Sequence, residues 1–149
     1  MEVRESIELP APPEEVFDLL LDVDRLGDWV AAHRAIVEDP EGPLAEGSTF
    51  IQKLRLAGVS FKVGWEVTRL ERPRLVEWRG NGPGGSDARV CYSLAANGGG
   101  TRFDYVNEFR LPGGRLAQVA GRAVGEGRAR HEARESLERL QRLLADRKT

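Results

Sequence analysis

Residues that build disulfides and metal centres are scarce in this chain. Cys91 is its only cysteine, so no disulfide can form within it, and its two histidines, His33 and His131, lie far apart in sequence. Metal sites in proteins draw on clustered cysteine, histidine and carboxylate ligands, so we expect neither a metal nor another cofactor. A lone cysteine fits a reducing compartment, and we therefore predict a cytoplasmic protein.

Long apolar runs and an excess of charge of one sign are lacking as well. No run approaches the roughly 20 apolar residues of a membrane-spanning helix, and the N-terminus has no signal-peptide pattern. The formal net charge of -2 gives no electrostatic reason to bind nucleic acid. We expect no stable membrane insertion and no nucleic-acid partner. A hydrophobic fraction of 40% in 149 residues predicts one globular domain over residues 1–149.

The N-terminal segment predicts a strand followed by two short helices. Val3 to Leu9 alternates apolar and polar residues, with Glu5 as the polar exception on the apolar side. Three prolines then end the strand and open a helix, because proline in a first helical turn loses no hydrogen bond. Asp24 is predicted to cap a second short helix, Arg25 to Val30, whose apolar face includes Trp29.

From residue 34 to 111 the apolar residues recur with a period of two. Short connections between successive segments predict antiparallel hairpins. Six segments are predicted as strands: Ala35 to Glu38, Thr49 to Leu56, Ser60 to Leu70, Leu75 to Arg79, Ala88 to Leu94 and Arg102 to Leu111.

Arg115 to Arg147 has the apolar period of one long helix. Gly121, Gly125 and Gly127 lie within it, and each glycine costs about 1 kcal/mol relative to alanine in a helix. These glycines have two interpretations. The helix bends or its first half is frayed, or the small residues leave room for a ligand beside the helix. Opposite charges at i,i+4 spacing indicate a solvated outer face, with a basic membrane-contact surface as the alternative.

The resemblance of the chain to a known family rests on the order of these elements and on residues at fold positions. These residues are Ile7, Pro12 to Val16, Leu20, Asp22, Trp29, Gly47, Val67, Glu71 to Pro73 and Ser136 to Leu140. With them the chain resembles the START-like, birch-pollen-allergen-like superfamily, and within it the polyketide cyclase/dehydrase and lipid-transport family. One departure is Ala11, which stands where a capping serine or aspartate would be expected.

The resemblance implies an α+β helix-grip fold. A seven-stranded antiparallel curved sheet would wrap around a long C-terminal helix, with two short helices after the first strand. A cavity would lie between the sheet and that helix, and its ligand would be a small apolar molecule.

Alternation along the strands predicts which side chains face that cavity. Gln52, Tyr92, Tyr105 and Asn107 are polar residues that share parity with apolar neighbours. A buried amide or hydroxyl without a partner costs roughly 1–3 kcal/mol, so each is expected to bond another side chain, a buried water or a ligand. The charged residues of the strands, Glu77 among them, have the opposite parity and are expected in water. The predicted ligand-binding residues are Gln52, Leu54, Trp65, Val67, Trp78, Val90, Tyr92, Phe103, Tyr105, Asn107, Phe109 and, from the helix, Val124.

Two classes of function remain open. The protein is a carrier or sensor of an apolar ligand, such as a lipid, an isoprenoid or a polyketide-like aromatic, or it is a polyketide cyclase or dehydratase. Catalysis needs an acid or base in the cavity, and the candidates are Tyr92, Tyr105 and His33. Apart from Glu5 of the first strand, no carboxylate or histidine is predicted on the inner face, and Glu132 is assigned to the solvated face of the helix. Binding is therefore favoured over catalysis.

Other features are predicted to have no chemical role. Gly80 to Gly85 matches a dinucleotide-binding fingerprint, but a strand follows where that motif needs a helix, so we predict a hairpin at the cavity rim. Cys91 has outward parity and no nearby base, which predicts an inert thiol. His131 lies off the leucine stripe and is expected in solvent. An exposed edge strand or a projecting helix end could form a homodimer.

Overall fold

The computed structural model describes residues 2–56, 58–110 and 126–147. Its helices are α1 (Pro13–Leu20), α2 (Leu26–Trp29), which follows a 3₁₀ turn at Val23–Arg25, and α3 (Glu126–Asp146). Its strands are β1 (Glu2–Leu9), β2 (His33–Glu38), β3 (Thr49–Leu56), β4 (Val59–Glu71), β5 (Leu75–Asn81), β6 (Asp87–Asn97) and β7 (Gly100–Arg110). The predicted features at Leu111 and in residues 112–125, including Gly121, Val124 and Gly125, lie outside the described residues.

The first strand forms with the predicted parity. Val3 and Leu9 are buried on the inner side of β1. Glu5, the polar exception on that side, accepts a hydrogen bond from Arg134 of α3 at 3.3 Å. A partner on the helix therefore accounts for this inward carboxylate.

Two predicted cap positions differ in the structure. The N-cap residue of α1 is Pro12 rather than Ala11. Ala11 is fully buried, and its carbonyl accepts a hydrogen bond from Thr101 Oγ1 at 2.7 Å. The prediction that Asp24 caps the second helix was wrong. Asp22 accepts from the Asp24 amide at 3.1 Å instead, because the chain already turns in the 3₁₀ segment that leads into α2.

The seven strands form one antiparallel sheet in the order β1-β7-β6-β5-β4-β3-β2. Successive strands from β2 to β7 pair as hairpins, as the short connections predict. β1 closes on β7, with Val3 opposite Asn107 and Leu9 opposite Thr101. The register shifts within β2 and after Val67 in β4, and such bulges increase the local twist and bend of a sheet.

Helix α3 packs against the inner face of this sheet. Leu137, Leu140 and Leu144 are at most 1% exposed and join the main core with residues of α1, α2 and the sheet. Nearer the start of α3, Ala129 and Ala133 pack against β1 in a smaller cluster. The predicted α+β helix-grip fold is confirmed: a curved seven-stranded antiparallel sheet holds the C-terminal helix, and two short helices follow β1.

The outer face of the sheet carries the charged residues, as alternation predicts, and most of them are exposed. Glu77 is an exception, because its side chain is only 16% exposed. Burial alone would raise the pKa of the Glu77 carboxyl, but bonds from Thr68 at 2.8 Å and Arg89 at 2.7 Å hold that pKa below its usual value. The expectation that all these charges lie in water was therefore wrong at Glu77, where partners compensate for burial.

Candidate functional site

An internal cavity of about 120 Å³ lies between the sheet and α3. Strands β3 to β7 and the three described helices contribute to its wall. The wall includes all three tryptophans and both tyrosines of the chain, Trp29, Trp65, Trp78, Tyr92 and Tyr105. Most of the remaining wall is aliphatic, so the cavity is largely apolar. The aliphatic residues are Leu20, Val23, Leu26, Val30, Leu54, Leu56, Val90 and Leu137.

The predicted ligand-binding residues fall into two groups. One group lines the cavity: Gln52, Leu54, Trp65, Trp78, Val90, Tyr92, Tyr105 and Asn107. The other group lies elsewhere. Val67 and Phe103 are fully buried in the core and are not among the described residues of the cavity wall. Phe109 packs with the smaller cluster and borders a different hollow, and Val124 lies outside the described residues.

Tyr92 is at the centre of an aromatic cluster in the cavity wall. Its ring centroid lies 5.1 Å from that of Trp78, 6.0 Å from Trp29, 5.2 Å from Phe103 and 5.8 Å from Tyr105. The contacts with both tryptophans are edge-to-face, a favourable geometry for aromatic pairs. The wall therefore presents rigid, flat apolar surfaces.

A chain of hydrogen bonds joins Trp65, Gln52 and His33. Trp65 Nε1 donates to Gln52 Oε1 at 2.9 Å, and Gln52 Nε2 lies 2.9 Å from His33 Nδ1. An indole N–H can only donate, so Gln52 accepts with its oxygen and donates to His33 with its nitrogen. His33 Nδ1 is therefore the acceptor, and the neutral ring carries its proton on Nε2.

His33, a predicted candidate base, lies behind Gln52 and is not among the described residues that line the cavity. Burial lowers the pKa of His33, and the charge of Arg34 lowers it further. The neutral ring thus accepts from the Gln52 amide and positions it, without touching the cavity itself.

Two buried polar atoms of the cavity wall have no hydrogen-bond partner. They are Trp29 Nε1, which is a donor, and Asn107 Oδ1, which is an acceptor; neither has a partner among the residues that the structure describes. The Asn107 amide nitrogen donates to the Tyr105 hydroxyl at 3.2 Å, which leaves its carbonyl oxygen free. An unpaired buried polar atom costs about 1–3 kcal/mol, so each of the two atoms indicates a partner in a ligand or a buried water.

The two tyrosines of the wall were the other candidate catalytic residues. Burial raises the pKa of Tyr92, and the neighbouring Tyr105 and Glu132 add to the effect. Burial likewise raises the pKa of Tyr105. Both phenols therefore stay protonated at neutral pH, where each can donate a hydrogen bond but neither is a base.

Glu132 of α3 is a cavity-lining carboxylate that the sequence pattern failed to identify. Its Oε1 accepts from Ser136 Oγ at 2.8 Å and from the Ala32 amide at 3.3 Å, and Ser136 Oγ accepts from the Ala31 amide at 2.9 Å. Burial raises the pKa of the Glu132 carboxyl above its usual value of 4.5, although these hydrogen bonds oppose the shift. The assignment of Glu132 to the solvated face was wrong, because this carboxylate lines the cavity.

The helical period of α3 contains the information that would have placed Glu132 on the inner face. The buried stripe of α3 runs from Leu137 through Ser136 and Ala133 to Ala129. Glu132 stands three residues after Ala129 and four before Ser136, and residues at these spacings share a helix face. Extending the leucine stripe toward the start of α3 would have placed this carboxylate inward.

A wider hollow of about 1180 Å³ lies mainly over the outer face of the sheet and is open to solvent. Its charged residues pair with one another, as Arg110 does with Asp87 at 2.6 Å and Arg89 with Glu108 at 3.6 Å. Small-molecule sites combine apolar walls with a few convergent polar groups. The internal cavity has this composition and the outer hollow does not, so the candidate site is the cavity.

The remaining sequence features lie away from this cavity. His131 is exposed on α3, and Cys91 is half-buried on the outward side of β6. Residues 82–86 turn β5 into β6, so a strand follows the glycine-rich run. Within the described ranges, no three histidine, cysteine, aspartate or glutamate side chains are grouped to hold a metal ion. None of the described helices is long and apolar enough to cross a membrane.

The family model for polyketide cyclase/dehydrase and lipid transport matches residues 1–145. The chain belongs to this family. Among curated relatives, Rv1546 of Mycobacterium tuberculosis is 28% identical over 124 residues, which cover 82% of this chain and 87% of the relative. The toxin Rv0910 of the same organism is 25% identical over 133 residues, 89% of this chain and 90% of the relative. The family supports a hydrophobic ligand-binding fold.

Solved structures share this START-like architecture. TTHA0849 from Thermus thermophilus has a TM-score of 0.77 at 17% identity, and the match covers 100% of both chains. A conserved protein from Geobacillus kaustophilus has a TM-score of 0.76 at 22% identity, over 98% of this chain and 96% of that one. DynU16, from the dynemicin biosynthetic locus, has a TM-score of 0.64 at 20% identity, and the match covers 97% of this chain and 47% of the DynU16 chain. At these identities the likeness shows the fold alone.

Proposed function

We propose that this protein binds a small apolar molecule in the cavity between the sheet and α3, as a carrier or a sensor. One observation carries the proposal: two buried polar atoms of the residues that line the cavity, on Trp29 and Asn107, have no hydrogen-bond partner in the described part of the chain. Apolar walls with a few polar groups are the usual composition of a small-molecule site. Membership of a family described by lipid transport and polyketide chemistry supports the same function.

Native mass spectrometry of the protein purified from its own host tests this proposal. We expect a co-purifying apolar molecule, whose mass would give its class. Asn107→Leu alters the cavity wall, whereas Asn97→Leu makes the same change at an exposed position at the end of β6. The bound fraction should fall only in Asn107→Leu. A protein that is always empty, or equal occupancy in both variants, would contradict the proposal.

A polyketide cyclase or dehydratase is the second candidate, and Glu132 favours it. A carboxyl with a raised pKa, in a cavity with two tyrosine hydroxyls, has the properties of a proton donor to a bound chain. The fold neighbour DynU16 comes from a biosynthetic locus. Glu132→Gln should retain binding of a linear poly-β-ketone mimic but lose its cyclisation. Absence of turnover by the unaltered protein would rule against this candidate.

We also propose a cytoplasmic location without a nucleic-acid partner, which the single cysteine and the net charge of -2 support. A homodimer would use the edge strand β2, where Val37 is 48% exposed. Light scattering during size-exclusion chromatography would detect it, and Val37→Lys should then yield the monomer.

A further inference from the structure

We infer that the ligand is a compact, uncharged aromatic molecule that carries a hydroxyl group. The inference rests on the proposed function and adds the size, shape and polarity of the molecule that is bound.

The volume of the cavity limits the size of the ligand. Pockets for drug-sized molecules occupy roughly 300–1000 Å³, whereas an engineered cavity of about 150 Å³ in another protein binds benzene. The cavity here measures about 120 Å³. This space suits a single ring with a small substituent, and a long-chain lipid, an isoprenoid or a multi-ring polyketide exceeds it.

The wall determines the shape of the ligand. Five tryptophan and tyrosine side chains line the cavity together with Phe50. Aromatic rings gain from edge-to-face and offset contacts beyond the area that they bury. A flat ring therefore makes better contacts with this wall than an aliphatic group of equal volume.

The unpaired atoms determine the polar group. Trp29 Nε1 needs an acceptor, and Asn107 Oδ1 needs a donor. A hydroxyl group provides both functions, whereas an ether or a ketone provides only an acceptor. A water molecule also provides both a donor and an acceptor, and a cavity of this size holds about four waters. Binding measurements with matched probes therefore distinguish buried water from a ligand.

The charge of the wall disfavours an anionic ligand, and the unpaired indole N–H disfavours an ammonium. No lysine or arginine is among the described residues that line the cavity, and Glu132 is its acidic group. Arg55 and Arg128 line a separate outer depression, which Glu132 also borders. An anionic ligand would be buried beside a carboxylate without a cation. An ammonium has only donors, so it would leave Trp29 Nε1 unpaired.

Fluorine NMR with four one-ring probes tests the inference: 4-fluorophenol, fluorobenzene, 4-fluorobenzoate and 4-fluorobenzylamine. We expect 4-fluorophenol to bind at least about tenfold more tightly than the others, since one buried hydrogen bond is worth roughly this factor. Asn107→Leu should remove the preference but retain fluorobenzene binding, which also shows that the variant is folded. The matched variant Asn97→Leu should leave all four affinities unchanged.

Each other outcome overturns a stated part of the inference. Equal binding of 4-fluorophenol and fluorobenzene would disprove the hydroxyl group, and tighter binding of the benzoate or the benzylamine would disprove the absence of charge. If no probe binds but native mass spectrometry finds a long-chain lipid, the size is wrong and the proposed function stands. If no probe binds and the protein is empty, both are wrong and water fills the cavity.

Discussion

Gly80 of β5 faces the indole ring of Trp65 on the neighbouring strand β4. A methyl group at this position would lie 2.7 Å from two ring carbons of Trp65 and from Val63 Cγ1. We predict that Gly80→Ala destabilises the protein by about 1–3 kcal/mol, the usual cost of overpacking, and displaces Trp65 from Gln52. Urea unfolding and near-ultraviolet circular dichroism measure these effects. Gly64→Ala is the control, because a methyl group there meets no atom within 4 Å, and equal losses in both variants would contradict the prediction.

Glu132 predicts a specific dependence of stability on pH. Burial raises its pKa above 4.5 in the folded protein, so the folded state binds this proton more tightly than the unfolded state. The associated stability is fully present below about pH 4.5 and is lost as pH rises through the folded pKa. The glutamine of Glu132→Gln does not titrate. The free energy of unfolding of the unaltered protein should therefore fall relative to that of Glu132→Gln as the pH rises above about 4.5.

Urea unfolding of both proteins between pH 4 and 8 measures this difference. The other ionisable groups are common to both proteins, so the comparison with the variant isolates the contribution of Glu132. Tyr92 and Tyr105 across the cavity keep their protons over this range, since burial raises both pKa values. A difference that is constant with pH would show that Glu132 is solvated.

Inward parity was predictable for single residues, whereas hydrogen-bond partners were not. Alternation alone identified Gln52, Tyr92, Tyr105 and Asn107 as inward polar residues, and all four line the cavity. The free indole N–H of Trp29 depends on how α2 packs against the sheet, and no pattern of residue types contains this information. The partners of a buried group are long-range contacts, which periodicity cannot give.

At the level of elements, Ser136 links α3 to the loop between α2 and β2. Its hydroxyl oxygen accepts from the Ala31 amide at 2.9 Å, and its proton goes to Glu132 at 2.8 Å. Ser136→Ala should destabilise the protein by about 1–3 kcal/mol, because a part-buried amide loses its partner. Thermal and urea unfolding measure the effect.

Ser48→Ala provides a matched control for this link. Ser48 Oγ also accepts from a backbone amide, that of Ala45 at 2.9 Å, but this bond is exposed. Water can replace the hydroxyl there, so the expected change is within about 0.5 kcal/mol. Equal effects of the two substitutions would show that the link between α3 and the loop contributes nothing beyond an exposed bond.

The types and order of the elements followed from periodicity, while their ends depended on local contacts. Strand β3 has the predicted bounds, Thr49–Leu56, because turns with glycine and proline flank it. Strand β6 extends to Asn97, beyond the predicted end at Leu94, because backbone pairing with β7 continues as far as Asn97 opposite Gly100. The side-chain pattern thus identifies the middle of a strand, whereas hydrogen bonds to the neighbouring strand determine where it ends.

At the scale of the whole molecule, the N-terminal strand β1 and the C-terminal helix α3 pack against each other and against the sheet. Glu2 of β1 pairs with Glu108 of β7, and Leu137 and Leu140 of α3 lie in the same core as α1 and the sheet. All three tryptophans line the cavity within this core. Fluorescence therefore reports on the cavity, whereas far-ultraviolet circular dichroism reports on the backbone of the entire chain.

We predict that both signals follow one cooperative transition, as expected if residues 1–149 form one domain. Leu140 is fully buried, so Leu140→Ala should lower both midpoints equally, by a destabilisation of about 2–5 kcal/mol. Arg142→Ala, at an exposed position of the same helix, should change stability by less than about 0.5 kcal/mol. A fluorescence transition that precedes the loss of backbone structure would show instead that the cavity opens independently of the sheet.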